Sequence, residues 1–188
     1  VPGEEWMDLC GESIEDIART RRLSPARAAV EILRAAGGAV RTFDRSLGED
    51  DVATILAAEF TTIGSCAPSY ALDTGVYGMA HPRAFGTFAR IFGRYVRGRR
   101  AFDAIEAVRK MTSLPARIFG LRERGTIEAG AYADIVVFDA ETIADTATYA
   151  RPASLSVGIE HVLVNGQVAM SRGELTNERA GEALRAGG

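Results

Sequence analysis

Cys66 ends the stretch TTIGSC, directly after the apolar residues Phe60 to Ile63 and the pair Gly64-Ser65. A thiol at the exit of a strand can serve as a thiolate nucleophile or metal ligand, or it can sit there as a small buried hydrophobe. Further along, AHPRAFG puts His81 and Arg83 on one loop. Arginine is a planar, permanently charged fork that binds a carboxylate through two parallel hydrogen bonds, and the plainer reading is a surface ion-pair partner. His81 can orient the loop or cap a backbone carbonyl. A ligand role finds little support, because the chain holds 2 histidines in all, His81 and His161, without metal-ligand spacing between them. Tyr70, Asp73 and Tyr77 share the loop and could line a pocket. His161, beside Glu160 in an apolar run, reads as a satisfied strand residue.

A second polar feature is the run Arg83, Arg90, Arg94, Arg97, Arg99 and Arg100, uninterrupted by any carboxylate between Asp73 and Asp103. It reads as a solvated helix face, since no basic domain elsewhere supports phosphate binding. The net charge of -3 and pI near 5.5 likewise argue against a nucleic-acid or membrane-surface role.

These residues need elements to hold them. Ser13 followed by Asp16 predicts a capped helix ending near Arg22, and Ser24-Pro25 predicts a second one stopped by Gly37-Gly38. Glu49-Asp50-Asp51 suits the positive end of a third helix with Val52, Ile55 and Leu56 facing inward. Phe60 to Ile63 reads as one buried strand, and residues 64 to 83 as a long loop of the functional sort. Phe85, Phe88, Ile91, Phe92 and Tyr95 recur at helical spacing. Asp103 and Glu106 form a capping box before Ile105, Val108 and Met111, with a break at Leu114-Pro115 and a close at Gly120. The texture then turns to β: Thr126 to Phe138 and, around the hairpin signal Asn165-Gly166, Ile159 to Met170. The tail after Thr176 is polar enough to fray or to form one short helix.

A chain with 47% hydrophobic and 25% charged residues can bury a sizeable core. Cys10 and Cys66 cannot make a disulfide framework, although nothing in the sequence bars one unforced bridge between them, and a reducing cytoplasm is the expected compartment. No apolar run approaches the roughly 20 residues of a membrane-spanning helix. The chain starts at Val1 rather than Met, as a part of something longer or a trimmed product would. One strand, a long loop at its carboxyl end and helices make a slice of an α/β barrel, whose chemistry sits on such loops. The open edge calls for strands from a longer parent or another chain.

TTIGSCAPSY, AHPRAFGTFARIFGRYV, AIEAVRKMTSLPARIFGLRERGTIEAGAYADIVVFD and GIEHVLVNGQVAMSRGELT together resemble the carboxyl-terminal part of the N-acyl-D-amino-acid deacylase (D-aminoacylase) family of metal-dependent amidohydrolases. The resemblance implies an α/β fold: the last strand and helices of a (β/α)8 barrel over residues 1–122, a small β-sandwich segment over 123–176, and a polar tail over 177–188. It implies hydrolysis of an N-acyl-D-amino acid by zinc-activated water. The strand ending at Ile63 resembles the eighth of that barrel, whose motif ends Gly-Ser-Asp, with the aspartate binding or orienting the metal-bound water and shuttling its proton.

Cys66 stands at that aspartate's place. A thiolate can ligate zinc, but it is a poor proton shuttle, and the family's HxH pair and further histidines are missing here. Arg83 resembles the arginine that holds the substrate's α-carboxylate, with His81 and Tyr70 beside it as substrate-side residues. The expected partners are an N-acyl-D-amino acid and either an upstream barrel half or a second copy of the chain, with no nucleic acid and no membrane. Two functions follow: the carboxyl-terminal part of a deacylase, inactive alone, or a non-catalytic scaffold or interaction module of the same descent.

Overall fold

Three helices start where a side chain takes over an orphan backbone N–H. The computed structural model describes residue 9 and residues 11–40, 42–44, 46–68, 70 and 80–185. Cys10, Asp73 and Tyr77 lie outside the described residues. Helix α1 (Ile14–Arg21) begins at Ser13, whose hydroxyl accepts from the Asp16 N–H at 3.1 Å, and α2 (Pro25–Ala35) begins at Ser24, which accepts from the Arg27 N–H at 3.3 Å. The two pack through Ile17, Ala18 and Ala28. Helix α3 (Glu49–Ala57) carries Glu49, Asp50 and Asp51 in its first turn. Val52 and Leu56 face the core as expected, whereas Ile55 is exposed.

The buried strand expected at Phe60 to Ile63 is an extended segment without a ladder. Phe60 is exposed and Ile63 buried, and the Ile63 N–H donates to the carbonyl of Lys110 at 3.0 Å instead of to a neighbouring strand. Extended backbone becomes a sheet only beside another strand, and no described residue supplies one here.

Helix α4 (Arg83–Arg90) runs on into a π-helix (Ile91–Gly98), in which hydrogen bonds reach five residues, as from the Arg99 N–H to the Arg94 carbonyl at 2.8 Å. Ile91, Phe92 and Tyr95 are buried from the expected stripe, while Phe88 faces outward. Asp103 caps α5 (Ala104–Met111) through the Glu106 N–H at 2.8 Å. The following break falls at Thr112 (φ −129°, ψ −88°) rather than at Pro115, which sits inside α6 (Ser113–Phe119), a position where its missing N–H costs little. The buried face of α5 is Ala107 and Lys110; Ile105 is 81% exposed and Val108 41%, contrary to the expected inward stripe. Gly120 closes α6 at φ 67°.

Strands β1 (Ile135–Phe138), β2 (Ile159–Val164), β3 (Gln167–Ser171) and β4 (Glu174–Leu175) form one antiparallel sheet in chain order. Asn165 (φ 48°) and Gly166 (φ 79°) take the two left-handed positions of the tight β2–β3 turn. Of the β texture from Thr126, the part through Asp134 forms turns. The described tail residues form no helix; the Asn165 Nδ2 donates to the Ala180 carbonyl at 2.6 Å.

Sheet and helices share one core. Ile63, Ala89, Ile91, Phe92, Tyr95, Ala107 and Ile143 cluster there, with Phe138 and Ile159 packed against them. Among the described residues no helix is long and apolar enough to cross a membrane.

Candidate functional site at the start of helix α4

The extended segment that leads to Cys66 hangs on one buried ammonium. Lys110 is fully buried in α5, and its Nζ donates to the carbonyl of Ala58 and to the carbonyl and hydroxyl of Thr61, each of the latter at 3.2 Å. Glu106 Oε1 lies 3.5 Å away as counter-charge. Its own carbonyl takes the Ile63 N–H, so side chain and backbone of one residue fix Ala58 through Ile63. A charge this deep persists only when paired and hydrogen-bonded, and here it is both.

Beyond that anchor, Gly64, Ser65 and Cys66 are exposed. Cys66 is a free thiol in the open, so its reading as a small buried hydrophobe falls. The Ser65 hydroxyl lies 3.5 Å from the Arg83 carbonyl, which brings this loop against the start of α4.

His81 serves the same helix end. Its Nδ1 accepts from the Arg83 N–H at 3.0 Å, so it caps a donor rather than a carbonyl. Its Nε2 lies 3.3 Å from the Tyr149 hydroxyl, and Phe43 and Tyr149 present ring contacts at 5.2 and 5.3 Å between centroids. Partial burial, and then the positive charges of Arg83 and Arg90, push its pKa down from the usual 6.5, which keeps the imidazole neutral. Tyr70 stacks on Phe85 in the first turn of α4 at 6.3 Å between ring centroids.

Arg83 is the first residue of α4 and is exposed, and no carboxylate among the described residues pairs with its guanidinium. The elements thus gather Ser65-Cys66, Tyr70, His81 and Arg83 at one helix end. His161 is elsewhere, in β2 opposite Val137 and Ser171, as a strand residue.

The basic run is not a solvated face. Glu49 accepts from Arg90 at 3.3 Å, from Arg94 Nε at 3.0 Å and from the Tyr95 hydroxyl at 3.0 Å; Arg90 also reaches Asp145 at 3.1 Å. Arg97 donates to the carbonyls of Ala140 and Ile143 at 2.7 and 2.6 Å, and Arg99 pairs with Asp50 at 2.6 Å. Burial on its own would raise the Glu49 carboxyl; the Tyr95 hydrogen bond and the charges of Arg94 and Arg90 outweigh it and hold the pKa below 4.5. These arginines tie the π-helix to α3 and to the segment between β1 and β2.

Sequence reasoning missed Lys110, Tyr149 and Phe43. Lys110 had a signal: it sits three residues after Ala107, so its ammonium interrupts the face of α5 that is otherwise small and apolar.

The donor set does not fit zinc within these residues. Among the described residues no three of His, Cys, Asp and Glu gather as ligands would, and both ring nitrogens of His81 already have partners. A cleft of about 360 Å³ lies away from the site, between α6 and the turn that follows it, with Arg109, Arg117 and Arg124 among its lining.

A family model described as amidohydrolase family matches residues 60–170. Over 86 residues the chain is 57% identical to an N-acyl-D-glutamate deacylase of Alcaligenes xylosoxydans xylosoxydans, covering 46% of this chain and 18% of that protein. The crystal structure of a D-aminoacylase superposes with a TM-score of 0.74 at 35% identity, over 97% of this chain and 36% of that one. That of an N-acyl-D-glutamate deacylase from Bordetella bronchiseptica, complexed with zinc and a phosphonate mimic of the tetrahedral intermediate, does so at 0.65 and 36%, over 84% of this chain and 31% of that one. This chain therefore spans about a third of the length of the two solved structures, and less of the first relative.

Proposed function

Since the chain belongs to the amidohydrolase family, we propose that it is the carboxyl-terminal part of a zinc-dependent hydrolase that cleaves the amide bond of N-acyl-D-amino acids, and that these residues alone do not carry the reaction. The observation behind this reading is the exposed guanidinium of Arg83 at the head of α4, which no carboxylate among the described residues pairs with, and the Ser65-Cys66 loop hydrogen-bonded to the same residue. A substrate α-carboxylate there meets a bidentate donor and the positive end of a helix, two terms of the same sign.

In this reading residues 1–122 complete a (β/α)8 barrel, 123–176 belong to a small sandwich, and Phe60 to Ile63 pairs once the preceding strands are present. The exposed Phe60 fits a segment that lacks its neighbour. The cytoplasm is the compartment proposed, on the cysteine count. The described residues do not assemble a zinc site, so their share of the work is substrate binding by Arg83, with Tyr70 and His81 alongside. Cys66 offers a thiolate at the place where the family has its aspartate, which is a weaker hydrogen-bonding group for proton transfer.

The test is a chimera in which this chain replaces the corresponding part of the Bordetella deacylase, assayed for acetate release from N-acetyl-D-glutamate. Zinc-dependent release, raised by Cys66→Asp and weakened by Arg83→Met through KM, is the expected result. A folded chimera that takes up zinc and stays inactive even with Cys66→Asp overturns the proposal in favour of a non-catalytic module. The 188-residue chain by itself is expected to hold well below one zinc per chain by elemental analysis.

A further inference from the structure

We infer that Tyr149 and His81 are positioning residues that set Arg83 for its ligand, through a hydrogen-bonded line from the Tyr149 hydroxyl across the His81 ring to the Arg83 N–H. The inference rests on the reading of Arg83 as the carboxylate-binding residue.

Helix α4 starts without an ordinary cap. Pro82 occupies the N-cap position with a helical φ of −49° and offers no side-chain hydrogen bond. The first N–H of the helix, that of Arg83, would then face solvent or nothing. His81 Nδ1 takes it at 3.0 Å, while the His81 carbonyl takes the Ala84 N–H at 2.9 Å. One residue therefore fixes the turn on which Arg83 sits, from both its ring and its backbone.

That cap works only if the ring is neutral and bare at Nδ1, which places its proton on Nε2. The Arg83 N–H, which can only donate, sets that tautomer, and the Tyr149 hydroxyl 3.3 Å from Nε2 accepts from the Nε2–H and holds the ring in place. Tyr149 lies in the segment between β1 and β2, 68 residues beyond His81, and Phe43 closes the ring from a third segment with its edge contact. An imidazole held on two nitrogens and by two aromatic rings cannot swing away without moving the head of α4. The neighbouring charges of Arg83 and Arg90 oppose its protonation.

The variants separate positioning from mere packing. His81→Phe keeps a ring and removes the acceptor, His81→Asn restores an acceptor close to the Nδ1 position, and Tyr149→Phe removes only the hydroxyl. In the isotopically labelled 188-residue chain, ring nitrogen shifts are expected to report the Nε2–H tautomer, and Arg83 amide exchange is expected to rise in Tyr149→Phe as the ring loses its second hydrogen bond. Exchange of the Arg83 amide with solvent is expected to rise about tenfold in His81→Phe and to stay near the unmodified rate in His81→Asn. In the chimera, KM for N-acetyl-D-glutamate is expected to rise about tenfold in His81→Phe, with kcat changed less, and to recover in His81→Asn.

Equal Arg83 exchange in folded His81→Phe and in the unmodified chain overturns the inference, as does an Nδ1–H tautomer. An inactive chimera overturns only the deacylase reading, since the exchange and tautomer measurements need no catalysis. If His81→Phe fails to fold, Arg83 amide exchange in Tyr149→Phe decides: a rise supports the hydrogen-bonded line and an unchanged rate overturns it.

Discussion

The ammonium of Lys110 lies 3.2 Å from the main-chain oxygen of Thr61, 49 residues earlier in the chain, and this contact holds the segment that ends at Cys66. Two carbonyls and a hydroxyl converge on a side chain that has no access to water. Lys110→Met keeps the stem and removes the donors, taking the ammonium from the Thr61 carbonyl, while the Ala58 carbonyl keeps the Thr61 N–H and hydroxyl. A loss of roughly 2 to 4 kcal/mol is expected, seen as a lower urea midpoint at unchanged slope. Lys110→Arg is expected to fail as a rescue, because a planar fork does not reproduce a compact ammonium aimed at three oxygens. Stability within about 0.5 kcal/mol of the unmodified chain in Lys110→Met would show the clamp to be idle.

Two glycines with similar backbone angles should respond very differently to alanine. Gly166 has φ 79° and open space around the missing Cβ; Gly158 has φ 77°, and a Cβ there would lie 2.4 Å from the backbone nitrogen of Ile143. Gly166→Ala bears the left-handed strain alone, about 1 kcal/mol. Gly158→Ala must also push apart the start of β2 and the backbone of a core residue. A loss of roughly 3 kcal/mol or more is expected from thermal or urea unfolding, by strain and overpacking together. Equal losses at the two positions would remove the close approach of Gly158 to Ile143 as an explanation.

What was legible in the sequence was local. Ser13, Ser24 and Asp103 bond N–H groups three residues away, and Asn165-Gly166 makes its own turn, so residue type and spacing suffice to find them. The strand expected at Phe60 to Ile63 stands without a ladder because pairing is a property of two segments, and among the described residues a lysine clamp holds it instead. The arginine run was misread for a similar reason: its partners Glu49 and Asp50 are a helix away, and charge spacing along one segment says nothing of the acid it will meet. At the site, Cys66, Tyr70, His81 and Arg83 could be singled out by type. That His81 caps a donor and is held by Tyr149 required the fold, since 68 residues separate the two rings.

Glu49 makes the acid side of stability testable. Its carboxyl is held below the usual 4.5 by Tyr95, Arg94 and Arg90 against the opposing effect of burial. A carboxyl whose folded pKa is depressed binds its proton more readily in the unfolded chain, so its contribution is complete above the unfolded value and drains away as pH falls toward the folded one. Glu49→Gln is expected to cost about 1 kcal/mol at pH 7, after screening of a partly exposed site. The gap to the unmodified chain should narrow below pH 4.5 and shrink in high salt. A gap constant from pH 7 to pH 3 would mean that the carboxylate charge is not what holds α3 to the π-helix.

Glu106 extends the same sign to a stronger pair. Its hydrogen bonds from Arg109 come first among the causes that take its pKa to about 2, with Lys110 adding to them. Its contribution to stability is complete above about 4.5 and drains away between there and about 2, where the folded carboxylate itself takes up the proton. Because Glu106 is also the counter-charge of Lys110, acid should loosen the Ala58 to Ile63 segment before the sheet. Amide protection factors, corrected for the intrinsic rate at each pH, are expected to fall first at Thr61 and Ile63 and later in β2 and β3 between pH 5 and pH 2.5. Simultaneous loss of protection in both places would put the acid-sensitive contact elsewhere.

Cys66 brings structure and chemistry to a direct reading. It is exposed, and among the described residues no three of His, Cys, Asp and Glu gather as metal ligands, so its thiol should react with a disulfide reagent as an accessible cysteine does. Added zinc should not slow that reaction in the 188-residue chain. Cys66→Ala and Cys66→Asp should both stay within about 0.5 kcal/mol of the unmodified chain, because neither change disturbs a packed interior. In the chimera with the Bordetella deacylase, the same thiol should become protected by zinc if the position faces the metal. Protection by zinc in the short chain alone would mean that a donor set assembles there after all; no protection in the chimera would place Cys66 away from the metal and leave Arg83 as this chain's remaining proposed link to the reaction.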